Sequence, residues 1–291
     1  MRVSALILAI SLCAAFGVHP LSAAETKKPT ATKSKKTQAK AAAATAATFS
    51  VASIAAVSAF PQLDASNQAC AEAIAGGQLS QAEGLCLKAL DGANKSAPNT
   101  KFHATALSNQ AALLAQQGKN TEAEAGFRQA LSMYESVLGP NHLAVATSLS
   151  QLAGFYYAHD RYAEAEPLYK RALFIDERAL GGEHPEVAKD MYNLANVLAL
   201  LGKHGEAEDM HRRCLVVREK VLGSQDPAVA RSLAGMGICF AMQGRHEEAS
   251  KVFRAALSIN EKALGAEHPQ TEYCRRQLAS AQYQLTGSTT P

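Results

Sequence analysis

A loop recurs four times at a constant interval, and that interval limits what the chain can fold into. It reads Leu138-Gly139-Pro140-Asn141-His142, Leu180-Gly181-Gly182-Glu183-His184-Pro185, Leu222-Gly223-Ser224-Gln225-Asp226-Pro227 and Leu264-Gly265-Ala266-Glu267-His268-Pro269, each leucine 42 residues after the last. A single closed core has no reason to keep such a register. Stacked helical repeats do, because each unit meets only its neighbours and every seam poses the same packing problem.

Other positions keep the same beat. Gly118, Asp160, Gly202 and Gly244 mark a tight turn inside each repeat. Seven residues earlier stand Ala111, Ala153, Ala195 and Gly237; five residues later stand Ala123, Ala165, Ala207 and Ala249. A ring follows at Phe127, Tyr169, His211 and Phe253, then a small residue at Ala130, Ala172, Cys214 and Ala256. These offsets fall on one face of a helix. Two antiparallel helices approach closely only where both carry small side chains at the crossing, with the ring filling the gap beyond. The spacing predicts helical hairpins.

The loops say where helices stop and start. Glycine after leucine is expected to end the second helix in a left-handed conformation. His184-Pro185, Asp226-Pro227 and His268-Pro269 supply a cap and a first-turn proline. Leu143 takes the proline slot in the first loop, leaving Asn141 or His142 to cap alone. A worn copy precedes the four, with Gly77-Gln78-Leu79-Ser80-Gln81-Ala82-Glu83 parallel to Gly118-Lys119-Asn120-Thr121-Glu122-Ala123-Glu124. A half copy closes the array, and its Arg275, Arg276, Gln282 and Gln284 suit a terminal helix with one wet face.

The N-terminal part differs. Arg2 precedes an apolar run from Val3 to Val18, and Ser22-Ala23-Ala24 offers small residues for a signal peptidase. Residues 1–24 therefore read as an export signal cleaved after Ala24. Six lysines stand against Glu25 in residues 25–48, a Lys/Ala/Thr-rich stretch too poor in large apolar groups to offset its ordering entropy. That tail makes the chain basic, with a net charge of +3, while the repeats are net acidic. The balance gives no case for nucleic-acid binding. The tail suits a solvated spacer, or contact with anionic lipid heads or cell-wall polymers. The uncharged stretch from Ala41 to Leu63 is too rich in alanine and serine for a second membrane helix and reads as a loosely helical or disordered lead-in.

Cysteine usage sits awkwardly with export. Without Cys13 an odd number remains: Cys70, Cys86, Cys214, Cys239 and Cys274. That argues against a disulfide framework. Cys70 and Cys86 face each other on one predicted hairpin, where a bond fits, but two small core residues are the preferred reading.

These anchors, with the lengthened period and runs such as Arg245-His246-Glu247-Glu248-Ala249, resemble the tetratricopeptide repeat, and within it the kinesin light chain-like subtype. The resemblance is strong over residues 100–285, weaker over 63–99 and absent before. It implies an all-α fold, an α-α superhelix built as a solenoid of hairpins. The expected layout is a signal peptide at 1–24 and a disordered linker at 25–62. The array follows at 63–286, as a divergent repeat at 63–99, then 100–141, 142–183, 184–225 and 226–267, with a terminal helix at 268–286 and a tail at 287–291.

The resemblance further implies that first helices line a concave groove holding peptides. The inward positions here include Thr147, Ser150, Tyr157, Lys189, Tyr192, Asn193, Asn196, Arg231, Ile238, Tyr273, Arg276 and Tyr283. Of these, Tyr157, Lys189, Tyr192, Asn193, Asn196, Arg231, Tyr273 and Arg276 form the candidate site. Cations beside aromatic rings suit an acidic peptide with a bulky apolar residue, or a free carboxylate; an ordinary solvated helix face fits as well. The carboxylate clamp of chaperone-binding relatives is only partly matched, by Lys189 and Asn193, since Ser108 and Ala112 fill its other slots.

No chemistry stands out. Gly235-Met236-Gly237 lies within a predicted helix without the strand a phosphate loop needs. His246-Glu247-Glu248 lacks the second histidine of a zinc-protease helix. His211 and Cys214 have ligand-like spacing but occupy packing slots. The reading is a non-enzymatic, exported protein-interaction module without cofactor or metal, periplasmic or extracellular, binding a protein or peptide and no nucleic acid. The alternative is a cell-envelope assembly scaffold tethered by its basic segment.

Overall fold

The computed structural model describes residues 51–287, and side chains from Phe60 onward. The export signal, the lysine-rich tail and Cys13 lie outside the described residues. Eleven helices follow one another: α1 (Val51–Ala75), α2 (Leu79–Ser96), α3 (Lys101–Gln116), α4 (Asn120–Leu138), α5 (Leu143–Ala158), α6 (Tyr162–Leu180), α7 (Pro185–Leu200), α8 (His204–Leu222), α9 (Pro227–Met242), α10 (His246–Leu264) and α11 (Pro269–Thr286). No strand occurs among the described residues. None of these helices is long and apolar enough to cross a membrane.

The fold is all-α, a solenoid of helical hairpins, and it divides between Gly126 and Phe127 into two compact units. In the first, α1, α2 and α3 pack mutually. Phe60 stacks on Phe102 with ring centroids 5.1 Å apart. Asn67 donates to the Phe102 carbonyl at 3.0 Å and accepts at its own carbonyl from Asn109 Nδ2 at 2.9 Å. A disulfide joins Cys70 to Cys86 across the α1–α2 hairpin, where the sequence reading preferred two unbonded thiols. Helix α1 also begins at Val51, inside the stretch assigned to the disordered linker. Alanine-rich and uncharged, this stretch has the propensity to extend a helix whose C-terminal half is held by packing.

In the second unit each helix packs on the next from α6 through α11, and α5 packs on α6. The crossing residues behave as their spacing requires. Ala153, Ala165, Ala195, Ala207 and Ala249 are fully buried, and the ring slot holds buried Tyr169, His211 and Phe253. In the first unit Ala111 and Ala123 are equally buried. Histidine caps are confirmed: Nδ1 of His142, His184 and His268 accepts from the backbone amides of Ala144, Glu186 and Gln270, and Asp226 does the same for Ala228.

Positive φ occurs at two kinds of turn. The inner turns carry it at Gly77, Gly118, Asp160, Gly202 and Gly244, between 58° and 78°. There the following residue reaches back to close the helix, as Lys203 N does to the Leu198 carbonyl at 2.9 Å. The Leu-Gly glycines Gly181, Gly223 and Gly265 instead pair φ of 85°, 84° and 91° with ψ of 153°, 154° and 164°. That is an extended conformation at positive φ which only glycine adopts without strain. It turns the chain sharply out of one hairpin toward the cap of the next.

Candidate functional site

The first helices of the second unit, α5, α7, α9 and α11, carry the residues singled out from the sequence. Tyr157 is buried, its ring edge-on to Tyr162 with centroids 5.7 Å apart. Lys189 is exposed and paired with Glu186. Tyr192, Asn193 and Asn196 are half-buried on α7. Arg231 and Arg276 are exposed, and neither makes an ion pair within the described residues. Tyr273 is half-buried; desolvation raises its phenol above the ordinary value, with smaller contributions from the Tyr192 and Tyr157 phenols. The Arg276 charge on the same helix works against this rise.

Beneath this face lies a layer that the sequence reading missed. Arg218, on second helix α8, is 93% buried, with 7% exposure. Its guanidinium lies over the Tyr192 ring at 4.6 Å and donates from Nη1 to the Ala228 carbonyl at 2.8 Å and to Ser232 Oγ at 3.0 Å. The same Tyr192 ring meets His211 edge-on, centroids 5.5 Å apart. Burial, and then the Arg218 charge, push the His211 imidazole down to about 3, so it packs as a neutral ring. This accords with the filler reading of His211. Cys214 likewise faces the Ala188 carbonyl at 3.0 Å and Ser232 Oγ at 3.4 Å. No cluster of three His, Cys, Asp or Glu side chains among the described residues could hold a metal ion.

The Arg218–Ser232 contact has counterparts one repeat away on either side. Asn260 Nδ2 lies 3.5 Å from Cys274 Sγ, and the buried carboxyls of Asp176 and Asp190 act on each other's ionisation. Each pair joins the second helix of one hairpin to the first helix of the next. A polar residue recurring every 42 positions at 176, 218 and 260 was the available signal.

Two neighbouring carboxyls held out of water ionise less readily than one alone. Desolvation, and then the neighbouring Asp176 charge, raise Asp190 to about 8, although Ser150 Oγ donates to it at 3.0 Å. Asp176 is raised too, by desolvation first. The stability consequence has a definite sign. A raised carboxyl stabilises the fold fully below its unfolded value of 3.8, and that contribution is lost as pH climbs through about 8. His211 acts oppositely, its contribution being lost as pH falls below the ordinary 6.5 toward about 3. The two slopes offset each other in mild acid, and above pH 6.5 only the aspartate slope remains. Stability should therefore fall by about 1–2 kcal/mol between pH 6.5 and 8, and Asp190→Asn should flatten that limb. Parallel thermal melts of both proteins across this range check it; a variant that falls as steeply as the parent would show that Asp190 is not the source of the slope.

A family model described as tetratricopeptide repeat matches residues 102–178, 147–220 and 190–262 in overlapping windows. Among solved structures, a putative kinesin light chain with nearly identical TPR-like repeats from Podosopora anserina is 25% identical, with a TM-score of 0.55, covering 62% of this chain and 85% of that one. BtubC (BKLC) from P. vanneervenii is 22% identical at a TM-score of 0.60, over 76% of this chain and 94% of that one. The apo form of RapI, at 14% identity, has a TM-score of 0.65 over 78% of this chain and 61% of that one. The last two are likenesses of fold alone. Among curated proteins no relative was found.

Proposed function

The chain belongs to the tetratricopeptide repeat family, and from that premise we propose that the first helices of residues 127–287 hold a peptide segment of another protein. The carrying observation is the surplus of recognition chemistry on that face. Arg231 and Arg276 are exposed cations with no ion-pair partner among the described residues, and the same first helices carry half-buried Tyr192 and Tyr273 and the amides Asn193 and Asn196. Arginines beside rings favour a segment combining carboxylates with a bulky apolar group, and the asparagines can bond its backbone. Lys189 joins this set once a peptide carboxylate competes with Glu186.

Export is part of the same proposal. The apolar N-terminal run supports it, and so does the Cys70–Cys86 disulfide, since such bonds persist in oxidising compartments. A second reading, an envelope scaffold held by its basic tail and assembling through its outer helix face, has one specific observation in its favour: Phe174 and Val216, one repeat apart on second helices, are 52% and 61% exposed.

Site-specific photocrosslinking in the native envelope separates the two. A benzophenone at Asn196 should capture a discrete partner, and Arg276→Glu should reduce capture about tenfold with unchanged helical circular dichroism. Capture from Phe174, insensitive to Arg276→Glu, would instead support the scaffold.

A further inference from the structure

The second helices α6, α8 and α10 present two rows of exposed cations in the 42-residue register: Lys170, Arg212 and Arg254, then Arg178, Lys220 and Lys262. Exposed Phe174 and Val216 lie between the rows on α6 and α8, and Ser258 holds that slot on α10. Offsets of four residues on either side keep each set on one outward face of its helix. The three helices make a continuous surface. Arg213 of α8 pairs with Glu177 of α6 at 2.6 Å, and Arg245, which opens α10, pairs with Glu208 of α8 at 2.7 Å. We propose that this face docks on an anionic lipid bilayer, with Phe174 and Val216 entering the headgroup layer and the two rows pairing with lipid phosphates. It uses the other helix of each hairpin from the peptide-binding face, so neither reading depends on the other.

Charge complementarity names the occupant. The repeats as a whole are net acidic, yet this face is basic. Its carboxylates are Asp209 and a third row at Glu177, Glu219 and Glu261. Two of these are drawn off sideways, Glu177 by Arg213 and Glu261 by Arg275. Arg178, Arg254 and Lys262 make no ion pair among the described residues. Cations held 42 residues apart on successive helices meet a surface charged everywhere, whereas one acidic side chain of a protein would meet only one of them.

The apolar component selects a bilayer over a soluble polyanion. The Arg178 guanidinium lies over the Phe174 ring, 5.4 Å from its centroid. An arginine in that pose covers the ring in water and can lift its charge to a phosphate while the ring sinks below it. The centre of a protein interface, by contrast, is depleted of lysine and of charge generally. Here every flank of the apolar pair carries a lysine or an arginine.

The lysine-rich tail could also touch lipid, so the readout must be local. A fluorescent amino acid placed by codon reassignment at Val216 of the full chain should be quenched by vesicles of phosphatidylglycerol and phosphatidylcholine brominated in their acyl chains. The same residue at Asn196, on a first helix, should not. Vesicles of phosphatidylcholine alone should leave both bright. Arg178→Gln combined with Arg254→Gln should weaken binding read at Val216 about twenty-five-fold, roughly fivefold per cation. Phe174→Ser should weaken it about tenfold. All three positions are exposed, so the variants should keep the parent's circular dichroism. Absence of binding overturns the proposal, and so does binding without quenching at Val216, which would mean attachment by the N-terminal segment alone. Equal quenching at Asn196, or affinity indifferent to the arginines, overturns it too. A discrete protein captured from Phe174 in the native envelope would give this face to the scaffold reading instead.

Discussion

Replacing Cys70 and Cys86 together by alanine should cost about 3 kcal/mol, the entropy that a cross-link of this span removes from the unfolded chain. The bond spans 16 residues of sequence and sits at the centre of a thin core, with Ala73, Ile74, Ala82 and Leu113 around it. Helix α2 buries only Ala82, Ala89 and Ala93 besides Cys86, so little apolar area is available to compensate. Alanine keeps both positions small and apolar, which isolates the covalent contribution. Hydrogen exchange reads the effect locally: amides protected in α1 and α2 should exchange about a hundredfold faster in the variant. Unchanged protection there would mean that the hairpin stands without its bridge.

The second large effect concerns Gly235. A Cβ built at this position would lie 2.4 Å from His211 Cε1 and 2.5 Å from Nε2. The imidazole cannot swing aside, since it is 1% exposed and lies against the Tyr192 ring. Gly235→Ala should therefore cost about 3 kcal/mol, the upper part of the range for overpacked cores. The cause can be isolated by a cycle. His211→Ala alone should destabilise by opening a cavity, yet the double variant should recover much of the Gly235→Ala loss. Urea midpoints of the four proteins give the coupling, and simple additivity would refute the steric account.

Gly235 also shows what the sequence could not disclose. The period, the crossing alanines, the caps and the hairpin boundaries were legible because each repeats, and repetition separates signal from accident. Gly235-Met236-Gly237 occurs once. Its meaning depends on a histidine 24 positions earlier, on a different helix, and no local rule connects them. The Leu-Gly loops were legible as glycine-requiring but not as to which glycine conformation they use, because a helix end accepts either. Parity of the cysteines misled: bonding is decided by two facing positions, whatever the number of thiols elsewhere. Of the candidate residues, the exposure of Lys189, Arg231 and Arg276 follows from the first-helix register, whereas that register did not disclose that Tyr157 is buried. Arg218 was legible only as one of three polar residues 42 apart, with Asp176 and Asn260; its carbonyl and hydroxyl partners were not.

The polar pairs at the seams have a further consequence. Asp176 with Asp190, Arg218 with Ser232 and Asn260 with Cys274 occupy equivalent joints with unlike chemistry. Modules that look interchangeable in their alanines and glycines are keyed to one neighbour each. Transplanting α9 and α10 between α6 and α7 would set Asp176 against Ser232 and Asn260 against Asp190, and would take from Arg218 the Ser232 hydroxyl it now holds.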